Sequence, residues 1–338
     1  MNKEYFISIC IPSYNRPKEL ERLLNSVDSK LIDEVQLVIC EDKAPKRLEV
    51  RTVVNSFKTK SNYSIKYIEN AQNLGHGGNL RECIRQADGE FVMFMGDDDM
   101  FIPNAFDLFF VFLKKHRECG YILRSYRLQL PNGKFHYCKY YDSDQFFEPG
   151  IKAYTEFYNK SVSMSGFTIK KQYAQVYDIE FLDKTLLFQL YLLAEVCLHY
   201  PSAYCNTPCA QLVSDGISYF GNNEKEKDLY IPEVKVINNT NFIKGFFQIT
   251  EYIDETHAIK STEIIKKDLS KYSYHLIASS RKYGIKEFIS HTRELRRLKL
   301  DGTLYFELYF IGLLIFGDKF CFGVIQIIKR IIGRRLNL

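Results

Sequence analysis

The chain has 338 residues, of which 46% are hydrophobic and 26% are charged, so it can bury a core large enough for one domain plus an appendage. Its nine cysteines are an odd number, and several fall inside apolar segments, which fits reduced thiols in the cytoplasm better than a disulfide framework. The formal charge of +5 comes entirely from the last twenty residues. No signal-peptide pattern precedes the first predicted strand, which also favours a cytoplasmic location.

The first hundred residues alternate between strand-like and helix-like patterns. Apolar runs at residues 6–11, 35–40, 65–68 and 90–95 predict four buried strands. Apolar residues at helical spacing predict one helix that begins near Pro17 and another over residues 80–87. Strands joined by helical crossovers predict an α/β fold with a doubly wound, mainly parallel sheet flanked by helices.

Polar residues follow three of these strands directly. Tyr14 and Asn15 follow the first strand, Asp42 follows the second, and residues 97–99 follow the fourth. In doubly wound sheets, ligands bind beyond the carboxyl ends of the strands. We therefore expect these side chains to converge on one crevice.

Residues 97–99 are three consecutive aspartates. Adjacent carboxylates repel one another, and a divalent cation would relieve that repulsion. Oxygen ligands suit a hard metal such as Mg²⁺ or Mn²⁺, which in turn calls for a phosphate partner. A solvated acidic turn is the alternative, and the position at the carboxyl edge argues against it.

Four segments in this order, residues 9–15, 38–42, 73–79 and 87–99, resemble the family 2 glycosyltransferases, which have the nucleotide-sugar-binding GT-A fold. The likeness is strong over residues 5–105 and weaker over residues 160–215. It implies a GT-A domain over residues 1–220, with a nucleotide-sugar-binding half at 1–105 and an acceptor half at 106–220. Residues 221–338 are predicted to form a helical extension.

Carried over by position, the resemblance implies a binding site for a nucleoside diphosphate-sugar. Asp42 would accept a hydrogen bond from a pyrimidine, most often uracil, so a UDP-sugar is the expected donor. Asp99 and Asp97 would hold Mn²⁺ or Mg²⁺. The implied nucleotide-sugar-binding residues are Pro12, Tyr14, Asn15, Asp42, Asn73, Asn79, Asp97 and Asp98.

The reaction that the resemblance implies is metal-assisted departure of a nucleoside diphosphate as an acceptor hydroxyl attacks the anomeric carbon. Inverting members of the family use an Asp or Glu as the general base, and an inverting outcome is favoured here. Gln189 stands where that acid is expected, and an amide cannot take up a proton. Asp183 is the nearest upstream candidate, with Glu180 and Asp178 before it. A helix N-cap is an equally good interpretation of Asp183.

Residues 163–169 and 188–191 together resemble, more faintly, an abequosyltransferase-like subgroup that builds bacterial O-antigen. The family resemblance, together with the basic tail at residues 319–338, implies a lipid-linked or other glycan acceptor, such as one carried on a polyprenyl diphosphate at the inner leaflet. Residues 214–218 are either a loop that closes on the donor or an ordinary surface turn.

The last twenty residues combine cations with a helical apolar face and contain no acidic residue. Such a basic amphipathic helix is expected to lie on an anionic membrane surface through residues 319–338. The ten-residue apolar run at 308–317 is too short to span a bilayer. A helix packed on the core is the alternative, and the density of Ile and Phe argues against a nucleic-acid partner. We therefore expect a cytoplasmic protein that is peripheral on the inner face of the cell membrane.

Two other functions are compatible with this sheet. A sugar nucleotidyltransferase usually carries a Gly-rich loop with Lys or Arg after the first strand, whereas this chain has Pro-Ser-Tyr-Asn-Arg-Pro at 12–17. A non-catalytic subunit that binds a glycan or a partner protein stays open because Gln189 replaces the expected acid.

Overall fold

The structure, a computed structural model, describes residues 4–130, 132–213, 219–222, 226–230 and 235–332. The chain forms two compact units, Met1–Lys227 (unit 1) and Asp228–Leu338 (unit 2). The boundary therefore follows Lys227, whereas the sequence predicted it after residue 220.

Unit 1 is a mixture of strands and helices. Its strands are β1 (Tyr5–Ser13), β2 (Val35–Glu41), β3 (Ser64–Glu69), β4 (Gly89–Phe94), β5 (Met100–Phe101), β6 (Tyr121–Gln129), β7 (Phe135–Cys138), β8 (Gln145–Phe147), β9 (Phe167–Lys170) and β10 (Ser202–Val213). Its α-helices are α1 (Pro17–Asn25), α2 (Arg47–Lys60), α3 (Gly75–Gln86), α4 (Phe106–Lys115), α5 (Ile151–Tyr158), α6 (Lys171–Val176) and α7 (Phe188–His199). A short 3-10 helix, Phe181–Thr185, precedes α7.

The strands form one sheet in the order β3-β2-β1-β4-β9-β6-β10-β5, with β7 paired to β6 and β8 paired to β10. Parallel pairs join β1, β2, β3 and β4, and another parallel pair joins β6 and β10. β9 is antiparallel to both β4 and β6, so these two parallel groups run in the same direction. The predicted α/β fold with a mainly parallel sheet is confirmed.

β1, β2 and β4 are parallel, and their carboxyl ends lie at the same side of the sheet. In the β1–β2 register Ser13 lies opposite Glu41, and the Met95 N–H donates to the Cys10 carbonyl (2.9 Å) just beyond β4. The residues that follow β1, β2 and β4 therefore emerge at the same edge of the sheet. This edge is the one at which parallel sheets of this kind bind ligands.

Local sequence explains these elements well. Pro17 begins α1, where its fixed φ suits the first helical turn and its missing N–H needs no partner. Leu20, Leu23 and Leu24 recur on one face of α1 and are buried against the sheet. Burial of each such side chain contributes about 1.5–3 kcal/mol to the free energy of folding. All seven residues of β2 are buried, as a strand covered on both faces requires.

Unit 2 is helical over its described residues, as predicted. It contains α8 (Lys235–His257), α9 (Ser261–Lys271), α10 (Tyr274–Arg281), α11 (Ile285–Arg297) and α12 (Leu304–Ile332). Its core includes Ile253, Ile265, Ile277, Phe288 and Leu295, all without exposed surface.

The long helix α12 is interrupted at Gly317, whose φ of 76° and ψ of 174° are not helical. Leu304–Ile325 is long and apolar enough to cross a membrane, judged by length and composition alone. Phe306 and Leu313 are nevertheless buried against the other helices of unit 2.

Candidate active site

The turn after β1 brings an arginine to the aspartates. Asn15 has a left-handed φ of 63°, a conformation that asparagine tolerates better than most residues. The Tyr14 N–H donates to Asp97 Oδ2 (3.0 Å), and Arg16 Nη1 donates to Asp97 Oδ1 (2.7 Å). Arg16 Nη2 also lies 3.2 Å from Asp98 Oδ2. Arg16 lies within the Pro-Ser-Tyr-Asn-Arg segment, but no sequence signal marked it as a site residue.

The three consecutive aspartates have different surroundings. Asp97 is 2% exposed, and burial raises its pKa to about 6 although Arg16 acts in the opposite direction. The Asp98 side chain is 24% exposed, and its backbone carbonyl accepts a hydrogen bond from Arg22. Only Asp97 therefore combines deep burial with an arginine partner.

Asp99 is also buried, but the donors that reach it are neutral. Its Oδ2 accepts a hydrogen bond from Ser165, and its Oδ1 accepts one from the Val213 N–H (3.0 Å). Burial raises the pKa of Asp99 to about 7, and the adjacent charge of Asp98 raises it further. The negative charge of Asp99 is balanced only by these neutral hydrogen-bond donors, so a bound cation would stabilise it.

We tested whether these carboxylates suit a divalent cation. Their ligand atoms do not all lie within 4.8 Å of one another; within the described residues His116, Glu118 and Cys119 form a set that does. Burial raises the pKa of the Cys119 thiol to about 12. The set of His116, Glu118 and Cys119 therefore has no thiolate ligand at neutral pH. Mg²⁺ commonly binds one or two carboxylates together with substrate phosphates. Asp98 and Asp99 offer that donor set, because Arg16 lies closer to the buried Asp97 (2.7 Å) than to the more exposed Asp98 (3.2 Å).

Asp42, which follows β2, accepts hydrogen bonds from the loop that leads into α3. It is 4% exposed and accepts hydrogen bonds from the Leu74 N–H (2.8 Å), the Gly75 N–H (3.0 Å) and Asn70 Nδ2 (2.9 Å). Burial raises its pKa, although these three hydrogen bonds act in the opposite direction. The start of α3 is therefore attached to the end of β2 through one carboxylate.

The other predicted donor residues lie around Asp42. The Tyr14 hydroxyl hydrogen-bonds with the Asn73 side chain, and its pKa is raised by burial and then by Asp42. Asn79 is buried, donating to the Cys40 carbonyl (3.0 Å) and accepting from Asn70 (3.0 Å). These two hydrogen bonds attach Asn79 of α3 to the end of β2 and to Asn70. Pro12 lies in β1 opposite Cys40.

Aromatic residues from the end of unit 1 contact Tyr14, Arg16 and His76, and sequence reasoning missed them. The Tyr219 ring meets the Tyr14 ring edge-on at 5.7 Å, and the Arg16 guanidinium lies 5.3 Å from the Tyr219 ring centroid. Glu226 accepts a hydrogen bond from the His76 N–H (2.5 Å) at the start of α3. The predicted loop at 214–218 lies outside the described residues, but Val213 and Tyr219 on either side of it both reach the site.

His76 is neutral in this structure at physiological pH. Burial lowers its pKa to about 4, and the nearby positive charge of Arg16 lowers it further. Its ring meets the Phe220 ring edge-on at 5.1 Å. His76 therefore supplies no positive charge for a phosphate, and its ring packs against Phe220 within unit 1.

The acceptor half contributes less to the site over its described residues. Gln189 is 2% exposed and donates through Nε2 to the Val162 carbonyl (3.0 Å) at the start of α7. Arg81 and Arg85 bind Asp178; their hydrogen bonds lower the pKa of Asp178 against the opposing effect of burial. A carboxylate with a lowered pKa is a poor general base.

The other two base candidates are Glu180 and Asp183. Glu180 is largely exposed, and one oxygen lies 3.4 Å from Arg81 Nη1. Asp183 lies in the 3-10 helix before α7, but its side chain is outside the described part of the chain. Its role as the base remains a prediction.

The sequence is similar to those of known glycosyltransferases. Residues 8–170 match the family model described as glycosyl transferase family 2. Abequosyltransferase RfbV of Salmonella typhimurium is 31% identical over 93 residues, which are 28% of this chain and 28% of that protein. The GalNAc(5)-diNAcBac-PP-undecaprenol beta-1,3-glucosyltransferase of Campylobacter jejuni is 31% identical over 101 residues, 29% of this chain and 31% of that protein. The chain thus spans about 30% of the length of these two relatives.

A solved structure supports the fold over a longer range. The crystal structure of S. aureus TarS 1-349 in complex with UDP-GlcNAc has a TM-score of 0.53 and 14% sequence identity. The match covers 91% of this chain and 91% of that one. At this identity the likeness shows the fold alone. Together with the family match it confirms the predicted GT-A architecture.

Proposed function

We propose that this chain, in which a glycosyl transferase family 2 domain occupies residues 8–170, transfers a sugar from a nucleoside diphosphate-sugar to a glycan acceptor. The observation that carries the proposal is the placement of the aspartates. Asp97, Asp98 and Asp99 follow β4 at the edge where Tyr14 and Asp42 follow β1 and β2. The names of the two relatives, one an abequosyltransferase and one a glucosyltransferase acting on a PP-undecaprenol glycan, support the same reaction class.

In this proposal the donor lies across the edge formed by β1, β2 and β4. Asp42 and Tyr14 contact the base, with UDP as the expected nucleotide. Asp98 and Asp99 hold Mn²⁺ or Mg²⁺, and Asp97 keeps Arg16 beside them. A divalent cation held by Asp98 and Asp99 would supply positive charge beside the diphosphate. Tyr219 covers the pocket and limits the access of water to the donor.

On the acceptor side we propose an inverting transfer, in which Asp183 takes the proton from the attacking hydroxyl. Gln189 is excluded as the base by its chemistry, and Asp178 is disfavoured by its two arginine partners. A polyprenyl-diphosphate-linked glycan is the proposed acceptor class, as in the name of the Campylobacter jejuni relative.

The test uses the purified full chain with UDP-, CDP-, GDP- and TDP-sugars, MnCl₂, and a synthetic polyprenyl-diphosphate glycan. We expect UDP with Mn²⁺ to raise the melting temperature and one UDP-sugar to give a glycosylated product. Formation of a nucleoside diphosphate-sugar from a sugar phosphate and a nucleoside triphosphate would identify a nucleotidyltransferase instead. Nucleotide binding without turnover on any acceptor would favour a binding subunit.

We also propose that unit 2 binds the surface of an anionic membrane, and α12 supplies the argument. Its first segment, residues 304–316, is about 20 Å long at 1.5 Å per residue, shorter than the ~30 Å hydrocarbon core of a bilayer. Arg281 Nε donates to the Leu313 carbonyl (3.0 Å) close to the break at Gly317. The inner face of this segment packs on unit 2. Its exposed outer face consists of Leu304, Tyr305, Leu308, Ile311, Ile315 and Phe316.

A helix with one face on protein and the other face apolar and exposed suits a position in the plane of the interface. The cations of residues 319–338 add attraction to anionic lipid. The side chains of most of these cations lie outside the described residues, so this part rests on sequence.

Co-sedimentation with vesicles of phosphatidylcholine, with and without phosphatidylglycerol, tests the proposal. We expect binding that requires phosphatidylglycerol and falls at least tenfold in the variant Ile311→Glu/Ile315→Glu. Val111→Glu, which changes an equally exposed residue of α4, is the control and should bind like the wild type. Equal binding by all three proteins would exclude the outer face of α12 as the contact.

A further inference from the structure

Ser165 connects the acceptor half of unit 1 to the aspartates. Its hydroxyl oxygen accepts a hydrogen bond from the Gly96 N–H (2.9 Å) and donates to Asp99 Oδ2. Ser165 is almost fully buried. Because its oxygen already accepts from Gly96, the hydroxyl proton is available for the carboxylate.

The position of Ser165 is fixed by its own strand connection. The Gly166 N–H donates to the Phe94 carbonyl (2.8 Å), which continues the β4–β9 pairing. Arg124, which has no exposed surface, donates to the Ser165 carbonyl (2.8 Å) and the Ser163 carbonyl (2.8 Å). The backbone on both sides of the hydroxyl is therefore held.

Two glycines leave room for this arrangement. Gly166 has a φ of +81°, and a Cβ there would lie 3.0 Å from Arg124 Cγ. A Cβ on Gly96 would lie 3.1 Å from Ser165 Oγ and 3.3 Å from Asp99 Oδ2. A side chain at either position would displace the groups that hold the Asp99 carboxylate.

We propose that Ser165 is a positioning residue that orients the Asp99 carboxylate toward a divalent cation bound with the donor diphosphate. This inference rests on the proposed function. With the Val213 N–H on Oδ1 and Ser165 on Oδ2, both oxygens of Asp99 have a fixed donor. The remaining lone pairs of the carboxylate then point in a defined direction. Partners that orient a metal ligand in this way typically change metal affinity 10- to 100-fold when they are lost.

The experiment measures Mn²⁺ affinity by electron paramagnetic resonance in the presence of saturating UDP, using the full chain. We expect Ser165→Ala to weaken Mn²⁺ binding about tenfold or more while UDP affinity in EDTA stays unchanged. Ser165→Thr keeps the hydroxyl and should restore most of the affinity.

The matched control is Ser161→Ala. Ser161 is also buried in the acceptor half and also makes two hydrogen bonds, accepting from Tyr121 and donating to the Phe157 carbonyl, but neither reaches a carboxylate. It should lower the melting temperature to a similar degree and leave Mn²⁺ affinity unchanged. A purely structural role for Ser165 predicts the same result for both alanine variants.

The outcomes separate the two proposals. If wild type binds Mn²⁺ with UDP and Ser165→Ala binds it within twofold of wild type, the positioning role is overturned and the donor site stands. If wild type binds no Mn²⁺ with UDP, the metal-dependent donor site fails and the positioning role fails with it. If Ser165→Ala does not fold, Ser165→Cys is measured instead, because a thiol is only a weak hydrogen-bond donor. Wild-type Mn²⁺ affinity in Ser165→Cys would then overturn the positioning role.

Discussion

Two regions of unit 1 surround their aspartates differently. Asp42 and Asp99, which follow β2 and β4, are buried, receive hydrogen bonds only from neutral groups among those described, and have raised pKa values. Asp178, which follows α6, lies between Arg81 and Arg85, and its pKa is lowered. A carboxylate that is buried without a cation of its own is poised to bind one, whereas a carboxylate already paired with arginine contributes to the fold.

The strongest test of this difference is Asp99→Asn. Removal of the charge should lower metal-dependent transfer more than about 100-fold, beyond the effect typical of lost outer partners. The melting temperature without metal should not fall, because an under-compensated buried charge is removed. Steady-state rates at several MnCl₂ concentrations provide the measurement. Asp88→Asn, at the opposite end of β4, is the control and should keep full activity. A tenth of wild-type activity in Asp99→Asn would contradict the assignment.

A second test uses a base in the donor half, His76, whose pKa burial lowers from 6.5 to about 4. Below pH 6.5 the unfolded chain takes up a proton that the folded chain does not, so His76 makes stability fall as pH falls from 6.5 to 4. This contribution to the free energy of unfolding should reach about 2 kcal/mol at pH 5.

The variant His76→Gln removes that titration. Urea unfolding of wild type and variant at pH 7.5 and pH 5 should show a smaller loss of stability in the variant. His136→Gln, which changes an exposed histidine on β7, should follow wild type. Identical pH dependence in His76→Gln and wild type would mean that His76 is not buried as a neutral group.

Gln189→Glu tests the acceptor half. A carboxylate at this buried position would face the Val162 carbonyl, lose the Nε2 hydrogen bond and be desolvated. We expect the free energy of unfolding to fall by about 1–3 kcal/mol, with no gain in transfer rate. Gln172→Glu, on the exposed side of α6, should change neither quantity. A faster Gln189→Glu enzyme would show that the base belongs at this position after all.

The smallest expected effect concerns the aromatic cover. Tyr219→Ala removes an edge-on contact with Tyr14 and the ring beside Arg16. Aromatic pairs of this kind contribute about 0.5–1.5 kcal/mol, so the KM for the donor should rise between twofold and tenfold with kcat nearly constant. Tyr219→Phe keeps the ring and should behave like wild type. An unchanged KM in Tyr219→Ala would mean that the cover does not contact the donor.

The sequence by itself determined the fold class and which polar residues follow the ends of β1, β2 and β4. Apolar runs of strand length, and helical spacing such as that of Leu20, Leu23 and Leu24, are local signals that can be read directly. Positions after β1, β2 and β4 follow from the topology rule for parallel sheets. The four motif segments carried the resemblance to family 2, which the family match confirms.

Tertiary structure decided which groups surround each carboxylate. Ser165 lies 66 residues from Asp99, and Val213 lies 114 residues from it. Glu226 reaches His76 across 150 residues. Such contacts depend on how distant segments pack, and no local periodicity encodes them. The identity of Asp97 as the partner of Arg16, and of Asp178 as the partner of Arg81, therefore emerged only from the folded chain.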